Sequence, residues 1–519
     1  MSLSQPANTK HHRYSAYSAL QVLDNEGVVA KSQMLPMYEL MTRAGSAAYK
    51  ILSQRWPQAK SILVISGKGN NGGDGFILAR LAHLANINVS VLITCEPELI
   101  KGDALIAYQA MLEVGVTQVV TNNLLDYIGD FSGDVIVDAL FGIGFYGTLN
   151  DSMQQLVTCI NTHKASVLSI DTPSGLCATT GFVSQNNAVI ADVTVTFIVY
   201  KQGLLSGQAA NFVGDLRLAE IGLGDVFTEM VKSDVSYQTT NPLLNDVSPL
   251  KNRLNTSHKG NIGQVLCVGG GEGMPGAIRL ASEATLRCGA ALVSVCCHKS
   301  NRSMVFNGRP ELMLAPSTVD QLVNTTMMKK ANVLLIGPGL GQTTWSKALF
   351  DLIINYTLTN KQKRLVIDAD GLALLARTEY YCERRILTPH PKEAANLLGC
   401  DVASIEANRF TAVKAIAKKY GGICILKGSG TLISDGNKTV INSTGNLGMA
   451  SGGMGDVLSG VVAAFALQAS DYFTATCSSV YIHGAAGDII ANKRGQRGML
   501  ASDLFMPLQT LANENHHSI

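Results

Sequence analysis

The feature that most narrows the fold is a rhythm in which short apolar runs of strand character alternate with longer stretches of helical pattern. Runs at 61–66, 89–94, 135–139, 167–170 and 193–198 form a first series. Runs at 263–269, 291–297, 333–336, 365–367, 423–427 and 431–434 form a second. Strands that are apolar throughout, separated by helices, predict a parallel sheet covered on both faces. Between the two series, residues 225–257 are polar, lack strong periodicity and carry Pro242 and Pro249, so the linker is placed there. At 519 residues the chain is too long for a single core, which stops growing near ~250–300 residues. The expected fold class is α/β, with two doubly wound domains over 1–235 and 240–519. The halves share a rhythm but no motif, which points to fusion and not duplication.

Composition excludes several classes of function. Apolar residues make up 46% and charged residues 15%, yet no run approaches the ~18 apolar positions of a membrane helix. The most apolar segment, 457–467, is interrupted by Ser459 and Gly460 and reads as a buried helix. The start, with Lys10, His11, His12 and Arg13, precedes no apolar run, so neither a secretory signal nor a transit peptide is expected, and the expected location is the cytoplasm. Lys and Arg total 41 against 39 Asp and Glu, which leaves no electrostatic footprint for nucleic acid or membrane and favours small-molecule partners. The 11 cysteines are scattered with no C-x-x-C pair, so reduced thiols are expected; Cys296, Cys297 and His298 adjoin but have no second ligand pair to make a zinc site.

Glycine is concentrated after the strands, where an α/β sheet places its ligand crevice. After run 61–66 comes Gly67-Lys68-Gly69-Asn70-Asn71-Gly72-Gly73-Asp74-Gly75, followed by helical pattern from Phe76 to Leu84. One glycine would serve a turn; several between strand and helix let amides approach a phosphate. Two further strands end in acidic loops, Asp138-Ala139-Leu140-Phe141-Gly142-Ile143-Gly144 and Asp171-Thr172-Pro173-Ser174-Gly175. Each aspartate alone could cap a helix. Together with the glycine loop they converge on one crevice.

These motifs resemble the YjeF N-terminal family, the NAD(P)H-hydrate epimerases, over roughly residues 15–225, and imply a Rossmann-like domain. The resemblance implies that Asn70, Asn71, Gly72, Gly73 and Asp74, with Gly142, Ile143, Gly144, Phe145, Tyr146, Gly147 and Thr148, hold a hydrated nicotinamide nucleotide. It implies Asn71, Asp138 and Ser174 as ligands of K+, and Asp171 as the acid/base at the reacting ring. Thr42, in Leu40-Met41-Thr42-Arg43-Ala44-Gly45, stands where many relatives carry Glu.

In the second half, run 263–269 leads into Gly269-Gly270-Gly271-Glu272-Gly273-Met274-Pro275-Gly276-Ala277, a further strand, glycine loop and helix that reads either as an anion cradle or as a structural turn. More telling are Gly337-Pro338-Gly339-Leu340-Gly341, Asp368-Ala369-Asp370, Thr388-Pro389-His390-Pro391-Lys392-Glu393, Lys427-Gly428-Ser429-Gly430-Thr431 and Ser451-Gly452-Gly453-Met454-Gly455-Asp456. In the last, glycines opening an apolar helix aim amides at a transferring phosphoryl group, and Asp456 can take a proton from an attacking hydroxyl. Its bland alternative is a plain N-cap. His390 between two prolines cannot sit mid-helix.

This half resembles the ribokinase-like superfamily and, within it, the ADP- or ATP-dependent NAD(P)H-hydrate dehydratases, over about 245–508. The resemblance implies contacts to the hydrate from Ala277, Gly339, His390 and Asp456, and nucleotide contacts from Lys427, Gly428, Ser429, Gly430, Thr431 and Gly455. It implies Mg2+ with ADP or ATP, NADHX and NADPHX as substrates, and a homo-oligomer built through the second domain. Ala373 replaces the Asn frequent in relatives. Together the resemblances imply one chain that epimerises hydrated NADH and NADPH and dehydrates the S form.

Overall fold

A computed structural model describes residues 13–121, 123–240, 250–251, 254–378 and 380–513. The chain divides into two units, Ser15–Val235 and one built mainly from the residues after Val235. In the first, a sheet of seven strands has five on the apolar runs, β1 (Ser61–Ser66), β2 (Asn88–Ile93), β4 (Val135–Ala139), β5 (Ser166–Ile170) and β6 (Val193–Phe197), and two outside them, β3 (Thr117–Val119) and β7 (Asp215–Ala219). They pair in the order β3-β2-β1-β4-β5-β6-β7, all parallel. Ile62 and Val64 join the hydrophobic cluster on one face and Leu63 and Ile65 the cluster on the other, which is why β1 carries no polar alternation. This is the doubly wound, Rossmann-like order, and the order of strand addition reverses between β1 and β4.

The second unit carries β8 (Gln264–Val268), β9 (Leu292–Cys296), β10 (Leu312–Leu314), β11 (Val333–Ile336), β12 (Arg364–Ile367), β13 (Arg385–Leu387), β14 (Ile423–Leu426), β15 (Leu432–Ser434) and β16 (Thr439–Asn442). They run in the order β10-β9-β8-β11-β12-β13-β14-β15-β16. The sheet is parallel through β14, after which β15 and β16 run antiparallel. An all-parallel sheet was the expectation for this half. The turn from Lys427 to Thr431 is too short for a crossover and forces a hairpin.

Three further expectations are corrected. The helix after the first glycine loop begins at Asn70, not Phe76, and runs to Leu84; the apolar helix begins at Met454, not Val457, and runs to Gln468. Glycines of low helix propensity fill both first turns and hide them from a periodicity argument. The expected linker 225–257 starts too early, because Gly224–Met230 is helical and Val235–Gln238 is a strand. Pro242 and Pro249 lie outside the described residues. No helix among the described residues is long and apolar enough to cross a membrane.

Candidate active sites

In the first unit the switch point opens a cavity of about 780 Å³. The helix Asn70–Leu84 can approach it only because its first turns lack side chains: a Cβ on Gly72 would stand 2.0 Å from the Gly67 carbonyl oxygen, and one on Gly75 2.7 Å from the Ala139 methyl. Gly72 and Gly73 therefore face inward, Gly73 against Met41 of helix Met37–Arg55, while Asn70, Asn71 and Asp74 line the cavity. Gly142, Ile143, Gly144, Phe145 and Tyr146 line it as well; Gly147 and Thr148 do not, and the Thr148 hydroxyl donates to Ser184 Oγ at 2.8 Å. Of the twelve residues expected around the nucleotide, the glycine pair and the loop end thus act on shape and not by lining.

Asp171, at the end of β5, enters the cavity with φ +62, a left-handed backbone that non-glycine residues rarely adopt. Its Oδ1 accepts from Lys201 Nζ at 2.8 Å and from Thr196 Oγ1 at 3.3 Å, and its Oδ2 from the Ile143 amide at 3.4 Å. Lys201 is 1% exposed and also donates to Thr196 Oγ1 at 3.0 Å and the Phe197 carbonyl at 2.7 Å. A Cβ on Gly142 would stand 3.4 Å from both Asn71 Cγ and Asp171 Oδ2, so a bare backbone separates the two functional groups. Both amide atoms of Asn71 are buried without a hydrogen-bond partner.

Asp138 lies behind this wall, fully buried at the end of β4. It accepts from Ser174 Oγ at 2.6 Å, the Ser174 amide at 2.9 Å and Ser169 Oγ at 2.9 Å, and the Ser174 hydroxyl in turn accepts from the Phe141 amide at 3.0 Å. Burial raises the Asp138 carboxyl, and the bonds from Ser174 and Ser169 oppose that rise. The two acidic strand ends and the glycine loop do meet, and neither aspartate is a helix cap. Thr42 turns its hydroxyl to the Tyr38 carbonyl at 2.8 Å and does not line the cavity. The sequence reading missed Lys201 and Glu26, which both line it. A lone lysine in the apolar stretch after β6 was the available signal; Glu26, on helix Ala19–Ser32, offered none.

In the second unit the strands β8 and β11 end in glycine loops, and the two differ from expectation. The Gly270 and Gly271 amides donate to the carbonyls of Pro338 and Gly339 at 2.9 and 2.6 Å. Two amides of the loop after β8 are thereby spent on tying two strand ends together, as the structural reading expects. Gly339, at φ +57, comes against Ala277, where an added Cβ would be 3.1 Å from the alanine methyl.

A charged cluster forms where β12, β13 and β14 end. Asp368, 1% exposed, accepts from Thr388 Oγ1 at 2.7 Å and Lys427 Nζ at 3.1 Å. Lys427 also lies 3.7 Å from Glu393 and within 3.3 Å of where a Cβ on Gly455 would be. Burial alone would lower the Lys427 ammonium, but Asp368 and Glu393 hold it above its ordinary value. His390 is the N-cap of Pro391–Leu398: its Nδ1 accepts from the amides of Lys392 and Glu393 at 3.1 and 3.3 Å, while Glu393 accepts from the His390 amide at 2.8 Å. Burial, and next Lys427, push its imidazole down, so the neutral form dominates with the ring proton on Nε2. Asp370 accepts from the Gly341 amide at 2.8 Å. Ala373 sits on the short helix Asp370–Leu375 with no side chain to bond. The loop holding Gly428, Ser429, Gly430 and Thr431 closes on itself, Thr431 Oγ1 donating to the Gly428 carbonyl at 2.8 Å; buried Arg409 braces it by donating to the Lys427 carbonyl at 3.1 Å.

Asp456 is no N-cap. Gly453, at φ +88, occupies that position, and Asp456 stands in the first turn of Met454–Gln468. Its carboxyl is pushed up to about 7 by burial and by Asp368, with Lys427 opposing and Asp370 and Glu393 adding. A carboxylate that exchanges its proton near neutral pH at a helix N-terminus suits general-base work beside a phosphoryl group. In the Cys296–His298 run both thiols are buried and His298 Nδ1 pairs with Ser300 Oγ at 2.7 Å; among the described residues no three or more His, Cys, Asp or Glu are grouped as ligands of one metal ion.

Fold and sites together define a two-headed α/β enzyme, with an acid–base site in a nucleotide-sized cavity and a separate site of the phosphoryl-transfer kind. A family model described as YjeF-related protein N-terminus matches residues 37–203, and one described as NAD(P)H-hydrate dehydratase matches 265–510. The bifunctional NAD(P)H-hydrate repair enzyme of Escherichia coli K12 is 40% identical over 480 residues, 92% of this chain and 90% of the relative. The chain belongs to the family of bifunctional NAD(P)H-hydrate repair enzymes. Among solved structures, a ribokinase-like superfamily protein from Enterococcus faecalis is 27% identical with a TM-score of 0.50, covering 55% of this chain and 97% of its own. The ADP/ATP-dependent NAD(P)H-hydrate dehydratase from Bacillus subtilis, co-crystallized with ATP/Mg2+, is 27% identical with a TM-score of 0.47, covering 51% of this chain and 94% of its own.

Proposed function

We propose that the first unit interconverts the R and S hydrates of NADH and NADPH at C6 of the nicotinamide ring, with Asp171 as acid/base. The second unit then phosphorylates the S hydroxyl from ADP or ATP and expels phosphate to restore the dihydropyridine. The observation that carries this reading is that one chain furnishes both sites: a buried Asp171–Lys201 pair in a cavity, and Asp456 beside Lys427 at a glycine-opened helix. The dehydratase acts on one epimer, so an epimerase in the same chain supplies it with the other.

The hydrate in the first unit would lie against Asn70, Asn71, Asp74 and the Gly142–Tyr146 loop. In the second it would lie near Ala277, Gly339 and His390, whose Nε2 stands 3.5 Å from Glu393 Oε1, with the nucleotide along Lys427–Thr431 and Gly455. Asp456 takes the proton of the attacking hydroxyl while Lys427 meets the phosphate charge. K+ fits the first site because the donors of Asn71, Asp138 and Ser174 are all oxygens and the Asn71 amide is an orphan in search of a partner. Bound there, it would supply fixed positive charge beside the nucleotide. Mg2+ would arrive with the nucleotide and neutralise its phosphates, and the carboxylates of Asp368 and Asp370 are hard donors suited to it. The 11 free thiols support a reducing, cytoplasmic location. Assembly through the second unit is the oligomer this reading takes from the family.

Incubating the protein with mixed hydrates and ADP, with and without K+, tests the reading. Phosphate release with full recovery of reduced-nicotinamide absorbance, faster with K+, is expected. A stable phosphorylated product would mark an ordinary kinase, and recovery of the S fraction alone would reduce the first unit to a binding module.

A further inference from the structure

The cavity of the first unit holds more acid than the proposed reaction has so far used. Asp74 lies one helical turn beyond Asn71 on the same face, is 9% exposed, and opens into the cavity with no hydrogen-bond donor or cation bound to its carboxylate among the described residues. Glu26 reaches the same cavity from helix Ala19–Ser32 and is equally unpartnered. The buried ammonium there, Lys201, is committed to Asp171 at 2.8 Å. Lys68, Asp103 and Cys95 complete the titratable and charged groups of the wall, with the phenol of Tyr146 at the loop. Three carboxylates thus share one buried cation, and like charges in a water-poor space do not all stay ionised. Burial pushes the Asp74 carboxyl well above its usual range, the charges of Asp171 and Glu26 push it further, and Lys201 opposes. Glu26 is raised by burial and then by Asp171.

C6 bears the hydroxyl next to the ring nitrogen N1, so one route to its inversion is for oxygen to depart from one face and arrive at the other. A site for that chemistry needs a proton donor on one side and an acceptor on the other, held in opposite states. We propose that Asp74 is the second catalytic acid–base of the first unit, acting on the face of the nicotinamide ring away from Asp171. The proposal rests on the epimerase reading of that unit. Lys201 is the counter-ion of Asp171 at 2.8 Å, and Glu26, a positioning residue, adds its charge to the burial that raises Asp74.

In one direction the Asp74 proton passes to the C6 hydroxyl. The C6–O bond breaks with its electron pair, water leaves, and the N1 lone pair closes a C6=N1 double bond. A water on the opposite face forms a new C6–O bond, the double-bond pair returns to N1, and the proton freed from that water goes to Asp171. One water leaves and one enters, Asp74 loses a proton and Asp171 gains one, and the ring is neither oxidised nor reduced. The site is then set for the reverse inversion.

The test uses the full chain without ADP or ATP, so that the hydrates interconvert but are not consumed. Asp74→Asn should lower kcat for interconversion by about 10²- to 10⁴-fold, with KM changed by less than about threefold, as expected for a group needed in the transition state. In 18O-labelled water each inversion by the unaltered chain should place one solvent oxygen in the product. Glu26→Gln removes one negative charge beside Asp74, so the fall of kcat with rising pH should move to lower pH. If the unaltered chain does not interconvert the hydrates at all, the epimerase reading itself fails. If it does, the Asp74 proposal is overturned by an Asp74→Asn variant with normal kcat or only a raised KM, by a product that keeps its original oxygen, or by an alkaline limb that Glu26→Gln leaves in place.

Discussion

At the residue scale, the two carboxylates proposed to carry the chemistry are set by different neighbours. Asp171 is held by a lysine that is itself 1% exposed, so the pair is stable only as a pair. Lys201→Met should therefore destabilise the first unit by about 3–5 kcal/mol, because it leaves a buried carboxylate uncompensated; thermal unfolding measures this. Asp171→Asn keeps the shape and removes the base, so epimerisation should fall to the spontaneous rate while dehydration of S hydrate is unchanged. Normal epimerisation by that variant would remove Asp171 from the mechanism. Asp456 behaves differently, since its carboxyl exchanges its proton near pH 7 in the fold against 3.8 as the ordinary value. Folding takes up a proton between those values, so Asp456 costs stability increasingly as pH rises through that window, and the full cost applies above pH 7. Activity needs the ionised form and should rise across the same range, with kcat/KM for dehydration showing an acid limb near 7. Asp456→Asn should collapse kcat by about 10²- to 10⁴-fold, leave ADP affinity near normal, and melt no earlier at alkaline pH. An early-melting but active variant would contradict this. Asp171 and Asp456 were both legible as acids at the ends of strands or glycine loops. Lys201 and Glu26 were not, because what makes them functional is burial beside a carboxylate, which adjacency in sequence does not reveal.

Among the elements, the helices Asn70–Leu84 and Met454–Gln468 show how glycine brings a helix into close contact. A Cβ on Gly72 would lie 2.0 Å from a backbone oxygen, and one on Gly460 2.1 Å from the Ala281 carbonyl oxygen of helix Pro275–Arg287. Neither contact can be relieved by a rotamer change. Gly72→Ala should cost at least the upper part of the roughly 1–3 kcal/mol range of overpacking and abolish epimerisation, with dehydration intact. An epimerase that tolerates Gly72→Ala would mean that the glycine loop does not position this helix. Most strands were readable because burial on both faces leaves them wholly apolar; β3, β10 and β13, three residues each, β16, with Thr439 and Asn442, and β7, with Asp215 and Arg217, gave no such signal.

At the scale of the whole molecule, the two candidate sites are built from residues of separate units. A chain of residues 240–519 alone should dehydrate the S hydrate and leave the R hydrate to drain at its spontaneous rate, followed by recovery of reduced-nicotinamide absorbance. Fast, complete use of both epimers by that half would break the division of labour. By itself the amino-acid order determined the α/β class, the two series of strands, and the glycine and acid motifs at their ends, because local propensity and full burial leave a pattern that is read along the chain. The tertiary structure alone decided that two amides of the loop after β8 brace the neighbouring strand end, that the last strands fold back antiparallel, that Asp456 is not a cap, and that Lys201, Glu26, Asp74 and Asp171 face one cavity. Those facts depend on distances between residues far apart in sequence, and on how burial and neighbouring charge weigh each proton, which no one-dimensional pattern contains.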